Sequence, residues 1–275
     1  MGLPGAIWVL ILALFLGLTG RPAGALPVDL ELLFGVDVSG SIDEEEARLQ
    51  RQGYIAAFRH PLIMDAIRSG FLGRIAVSYY EWAGFGHMKI IAGWTLIDGR
   101  ESALAFADKL TEIPPQTARR TAISEAIEFA IGYFDDNEFA GKRRVVDISG
   151  DGPNNWGRLV TGARDEAVAA GITINGLPIV NDRLSPFGRP IISNLDLYYR
   201  DCVIGGRGAF MVVANDFNDF AAAVLKKLVL EIAGLPPDVP ELKAAARHPQ
   251  ARPVQFRLPP PCDIGERRWE DFDDF

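Results

Sequence analysis

The segment Asp37-Val38-Ser39-Gly40-Ser41 places one carboxylate and two hydroxyls at alternate positions. Alternate residues leaving a strand point the same way, so the three side chains can converge on one point. Gly40 lets the backbone turn between them. One carboxylate and two hydroxyls make a hard oxygen site, suited to Mg²⁺ or Mn²⁺ rather than to a soft metal. Two more oxygen donors stand in comparable places. Thr121 opens the run Thr121-Ala122-Ile123-Ser124-Glu125-Ala126-Ile127, and Asp151 follows Ile148-Ser149-Gly150. A plainer reading makes Ser39 and Ser41 helix caps and Asp37 and Asp151 solvated loop acids, but it leaves Thr121 and Asp151 unexplained together.

The surrounding pattern supplies elements to position these donors. Residues 30–38 form an apolar-rich run bounded by turn residues, which predicts a strand buried on both faces. Ser41 followed by Asp43, Glu44, Glu45 and Glu46 reads as a capped helix start. Further strands are predicted at 74–82, 88–94, 144–149, 172–180 and 209–213. Helices are predicted at 102–110, 121–134, 158–170, 194–202 and 219–232. Gly84-Phe85-Gly86 is a hairpin-like turn, so only the second and third strands pair antiparallel. Strands alternating with helices imply an α/β domain over residues 28–234: a doubly wound, Rossmann-like, mostly parallel six-stranded sheet with one antiparallel edge strand. In such sheets ligand sites lie beyond the carboxyl ends of the strands, where Asp37 and Asp151 fall.

These residues resemble the metal-ion-dependent adhesion site, or MIDAS, of von Willebrand factor A domains. That pattern is DxSxS, then a threonine heading a helix with a small and an apolar residue five and six positions on, then an Asp-Gly after the next strand. Here it reads Asp37, Ser39 and Ser41, then Thr121 with Ala126 and Ile127, then Asp151-Gly152. The order and apolar layout of residues 30–232 resemble the whole domain. Arg119-Arg120 stands where familiar members have glycines. With Tyr198-Tyr199-Arg200-Asp201-Cys202 and Gly205-Gly206, these features resemble an uncharacterised exported family of such domains in Gram-negative bacteria. The resemblance implies one divalent ion, Mg²⁺ with Mn²⁺ or Ca²⁺ as alternatives, held partly through water. It also implies a protein ligand that supplies Asp or Glu to the metal. Ile42, Asp43, Arg120, Asn154, Asn155 and Trp156 would form the rim.

An enzyme is the first rival. Ser39 is not in a GxSxG elbow, and no His or Asp is placed for a triad. Gly205-Gly206-Arg207-Gly208 lacks the Lys-Ser/Thr of a P-loop. A metal-dependent hydrolase would need a general base near the metal, and a metal-free envelope scaffold would have shed one of the five donors. The expectation is a binding module and no catalysis.

The termini and charge set the compartment. Ile7–Leu18 is almost wholly apolar, too short to span a bilayer comfortably, and is followed by Ala23-Gly24-Ala25. Residues 1–25 are therefore expected to be a signal peptide, leaving a periplasmic or secreted protein without stable membrane insertion. A net charge of −8 argues against nucleic-acid partners. Residues 235–275 are Pro-rich and read as a tail without a core of its own. Cys202 and Cys262 are the only cysteines and natural disulfide partners in an oxidising compartment. Their bridge would pin the tail to the domain's edge or to the face opposite the metal.

Overall fold

The structure is a computed structural model that describes residues 24–180, 192, 194–217, 219–235 and 257–273. The expected signal peptide lies almost wholly outside the described residues. Every residue of strand β2 (Glu31–Asp37) is buried, as a strand covered on both faces must be. Leu32, Phe34 and Val36 join one apolar layer and Leu33 the other. Gly35 carries no Cβ because the Tyr80 ring occupies that space.

On either side of β2 lie β3 (Ile75–Trp82) and β6 (Arg144–Gly150), both parallel to it. Beyond β6 comes β7 (Ile172–Pro178), again parallel. Beyond β3 comes β4 (Met88–Ile97), antiparallel and half-exposed at the sheet edge. The order is thus β4-β3-β2-β6-β7. Helices α1 (Glu44–Arg59), α2 (Pro61–Arg68), α3 (Arg100–Lys109) and α7 (Phe220–Ala233) cover one face. The other is covered by α4 (Ile123–Tyr133), α5 (Val160–Ala169) and α6 (Leu195–Tyr198), which runs on into a π-helical turn at Tyr199–Val203. A separate pair, β1 (Leu26–Val28) and β5 (Phe139–Gly141), joins the segment before β2 to the segment after α4. Among the described residues no helix is long and apolar enough to cross a membrane.

The sheet has five strands, not six. The segment at 209–213 touches β7 through an isolated bridge, Gly176 to Met211. Two causes are visible. Gly206 and Gly208 adopt positive φ (94° and 72°) and bend the approach. The Asn175 side chain then takes the Phe210 N–H at 2.9 Å, so that donor is lost to a regular ladder. The first helix is capped by Asp43 rather than Ser41: its carboxylate accepts from the N–H groups of Glu45 and Glu46, and Glu46 returns to the Asp43 N–H. Helix α2, absent from the sequence expectation, starts at Pro61 after a turn in which His60 accepts the Leu62 N–H.

Candidate metal centre

The parallel register sets the centre. Asp37 ends β2 opposite Trp82 of β3, and Val36 lies opposite Ser149 of β6. The carboxyl ends of the two central strands therefore stop side by side, and the loops that leave them carry Asp37, Ser39, Ser41 and Asp151. Thr121 comes from the loop before α4. That loop is stitched to the rim where the Ala118 N–H donates to the Val38 carbonyl at 2.9 Å. From below, Arg51 donates to Glu81 at the end of β3 and to the Ile113 carbonyl, tying α1 to the same loop.

The five oxygen donors meet. A relay of hydroxyls runs from Thr121 Oγ1 to Ser39 Oγ (3.2 Å), on to Ser41 Oγ (3.2 Å), and ends on Asp151 Oδ1 (2.5 Å). Asp37 Oδ1 accepts the Ser39 N–H at 2.6 Å. Asp37 and Asp151 are 0% and 1% exposed, yet Oδ2 of each has no hydrogen-bond partner among the described residues. Burial first, and then the Asp151 charge, hold the Asp37 carboxyl well above the usual carboxylate range. Burial also pushes Asp151 up to about 6; the Ser41 hydroxyl opposes that rise and Glu46 adds to it. Two buried carboxylates with two orphaned oxygens are costly without a cation, so the donor set fits a small divalent ion. Among the described residues no group of three or more His, Cys, Asp or Glu is placed to hold a metal ion. An ion at this site would depend on hydroxyls for its remaining ligands.

Three residues to which the sequence assigned no role at the site support the donors. Gly150 lies behind Asp37, where a Cβ would sit 2.8 Å from Asp37 Oδ2 and 2.9 Å from the Tyr199 hydroxyl. Only glycine lets β6 approach that closely, and its place directly before Asp151 was the available signal. Gln50 Nε2 donates to the Asp37 carbonyl at 3.1 Å. Tyr199 walls the back of the site, and burial followed by the Asp37 charge holds its hydroxyl well above the usual tyrosine range.

The expected rim is only partly a rim. Ile42 is buried in the core, because the turn closed by its N–H on the Ser39 carbonyl swings its side chain inward. Asp43 is exposed but committed to capping α1. Asn154 is buried: its Oδ1 accepts the Ser124 N–H (2.9 Å), and its Nδ2 donates to the Arg158 carbonyl. Asn155 clasps Thr121 twice, N–H to carbonyl and side-chain oxygen to N–H, both at 2.8 Å. Arg120 and Trp156 flank that clasp, with the guanidinium carbon 5.5 Å from the Trp156 ring centre.

The C-terminal segment carries the expected bridge. Cys202 and Cys262 form a disulfide, with Cα atoms 5.5 Å apart. The segment it tethers has structure, ending in helix α8 (Ile264–Asp273). It does not dock on the face opposite the donors. Gly265 packs on the Asn154 carbonyl, and Glu266 accepts from Asn154 Nδ2 at 2.7 Å, so α8 braces the Asp151–Asn155 loop. Arg257 pairs with Asp196 at 2.6 Å and secures the approach.

Sheet order, helical layers and the donors at the strand ends define a von Willebrand factor A fold. Solved structures agree on the fold. The chain is similar to proximal thread matrix protein 1 from the mussel byssus (TM-score 0.53, 14% identity, covering 76% of this chain and 49% of that one). It is also similar to the pilus adhesin SpaC from Lactobacillus rhamnosus GG in its open conformation (0.52, 12%, 76% and 30%). A von Willebrand factor type A protein from Catenulispora acidiphila gives 0.50, 12%, 75% and 43%. The chain spans about half or less of each of these proteins. A further structure of the mussel protein has a zinc-occupied MIDAS motif (0.50, 14%, 74% and 46%). No curated protein matches the chain. It belongs to the family described as "Protein of unknown function (DUF1194)", whose model matches residues 27–236.

Proposed function

We propose that this protein is a non-enzymatic binding module of the cell envelope that captures an acidic group of a protein partner through a divalent metal ion. Asp37, Ser39, Ser41, Thr121 and Asp151 would hold the ion, Mg²⁺ first among the candidates and Mn²⁺ or Ca²⁺ after it. The observation that carries the proposal is the pair of buried carboxylates, each with an unpartnered oxygen, joined by a relay of three hydroxyls. When bound, the metal supplies a positive centre that two carboxylates only neutralise, so it still attracts one more anionic ligand. The chain's own contribution is positional. Gln50 and Gly150 fix Asp37, the Asn155 clasp fixes Thr121, and α8 braces the Asp151 loop. The zinc-occupied motif of the mussel protein supports the reading by showing this fold with a metal. The disulfide suits an oxidising compartment, in keeping with export.

Thermal unfolding with and without millimolar Mg²⁺ or Mn²⁺ tests it. An ion bound only by the native state adds RT ln(1 + [L]/Kd) to stability, about 2.7 kcal/mol at a hundredfold excess over Kd. Wild-type protein should shift upward, and Asp37→Ala should not respond. An unchanged wild-type melt across millimolar metal rules the proposal out.

A further inference from the structure

Beside the centre stands a group of side chains that the metal does not need. Phe85, at the tip of the β3–β4 turn, is 61% exposed, and its ring lies 4.2 Å from that of Trp156 between centres. Arg120 stands over the same Trp156 ring. Phe85 and Arg120 both have left-handed backbone, φ 58° and 67°. Side chains other than glycine pay a steric penalty there, and such strain gathers at functional sites. Asn194 alone shares this state among the described non-glycine residues.

The strained turn is held deliberately. The Gly84 N–H donates to the carbonyls of Arg119 and Arg120, at 3.1 and 2.9 Å, and the Gly86 N–H donates to Glu125 Oε2 at 3.1 Å. The group also has a fixed relation to the donors. Arg120 precedes Thr121 and Trp156 follows Asn155, and those two residues clasp each other. An aromatic surface with a cation at its edge therefore stands on the shoulder of the site that would receive the acidic group.

We propose that Phe85, Trp156 and Arg120 form a second subsite, which takes an aromatic or large aliphatic side chain flanking the acidic residue of the same partner segment. The inference rests on the proposed metal-dependent capture of that acid and adds the chemistry of its neighbour. The exposed Phe85 ring offers apolar area for a side chain leaving the metal, and a few aromatic anchors supply much of the affinity of a contact. Arg120 favours an acidic segment and disfavours basic residues beside the anchor.

The test is selection from an immobilised library of heptapeptides with a fixed central Asp and random neighbours, in Mg²⁺ and in chelator. Wild type, Phe85→Ala and Asp37→Ala are compared, with folding of each confirmed by its unfolding midpoint. Chelator-sensitive peptides rich in Trp, Tyr, Phe or Leu beside the Asp are expected with wild type. Phe85→Ala should keep chelator-sensitive capture, lose the neighbour preference, and bind the best wild-type peptide on the order of tenfold more weakly. Asp37→Ala should capture none. Chelator-sensitive capture without a neighbour preference, or with one that Phe85→Ala leaves intact, overturns the second subsite and spares the metal reading. Capture that ignores chelator and Asp37→Ala overturns the metal reading, and absence of capture by wild type overturns both.

Discussion

Breaking the Cys202–Cys262 bridge perturbs the protein at one defined point, with a consequence that can be worked out in advance. The bridge closes a loop between residues 60 apart in sequence. In the chain-entropy picture a loop of that length restricts the unfolded ensemble by about 4 kcal/mol. Contacts of the tethered segment that persist after reduction leave that figure unchanged, since they belong to the native state of both forms. Release of the segment in the reduced native state returns part of it. The contacts that resist release are individually modest: Arg257 with Asp196 is a partly exposed pair of about 0–1 kcal/mol, Asn154 with Glu266 is one hydrogen bond, and the Asn194 bonds to Arg257 and Leu258 and the packing of Ile264 add to them. The net loss should therefore fall between about 2 and 4 kcal/mol. For a domain of this size that corresponds to a drop in Tm on the order of 5–15 °C. Cys262→Ser is the better variant, because Cys262 is half-buried whereas Cys202 is fully buried and would leave a stranded hydroxyl. Thermal unfolding of oxidised wild type, reduced wild type and Cys262→Ser should give one high and two matching low midpoints. Amide exchange in the 151–158 loop should rise in the latter two. Midpoints within a degree of one another, or two alkylatable thiols before reduction, would refute the reasoning.

Two other perturbations reach different parts of the molecule. Gly150→Ala puts a methyl against Asp37 Oδ2 and the Tyr199 hydroxyl, so it should cost about 1–3 kcal/mol in urea unfolding and abolish the metal-induced melting shift. Asp147 is buried with Lys227 and Glu231, two carboxylates around one ammonium. Burial, with Glu231 adding and Lys227 opposing, pushes Asp147 up to about 7. A carboxyl raised in the folded state contributes stability that is full below its unfolded value and lost as pH rises through about 7. In chelator, the stability of wild type relative to Asp147→Asn should therefore fall between pH 5 and pH 8, by at most about 1.4 kcal/mol per pH unit. A constant difference across that range would contradict the assignment.

Asp37, Ser39, Ser41 and Asp151 stood out in the sequence because they lie at strand ends, and a strand end is visible where an apolar-rich run meets Asp-x-Ser-x-Ser or Gly-Asp-Gly. The two-sided burial of β2 follows from the same run. What lay beyond reach was set by contacts distant in sequence. The apolar stretch at 209–213 looks like a strand, and nothing local reveals that Asn175 intercepts its Phe210 N–H. Ile42 was expected at the rim, but with Asp43 as the cap the turn before it carries Ile42 into the core. Phe85 read as one residue of a turn, since a sequence does not show that its ring meets Trp156, 71 positions on. Two cysteines announce a bridge by their number alone, but where it brings the tail depends on the placement of the π-helical turn that holds Cys202.

Five oxygens at the ends of β2 and β6 and ahead of α4 are proposed to hold one divalent ion. Crystals soaked in Mn²⁺ and recorded at its absorption edge test it most directly. The account predicts one strong anomalous peak bounded by Asp37, Ser39, Ser41, Thr121 and Asp151, absent from Asp37→Ala crystals treated alike. A map without a peak there, at a Mn²⁺ concentration that raises no melting midpoint, would contradict it.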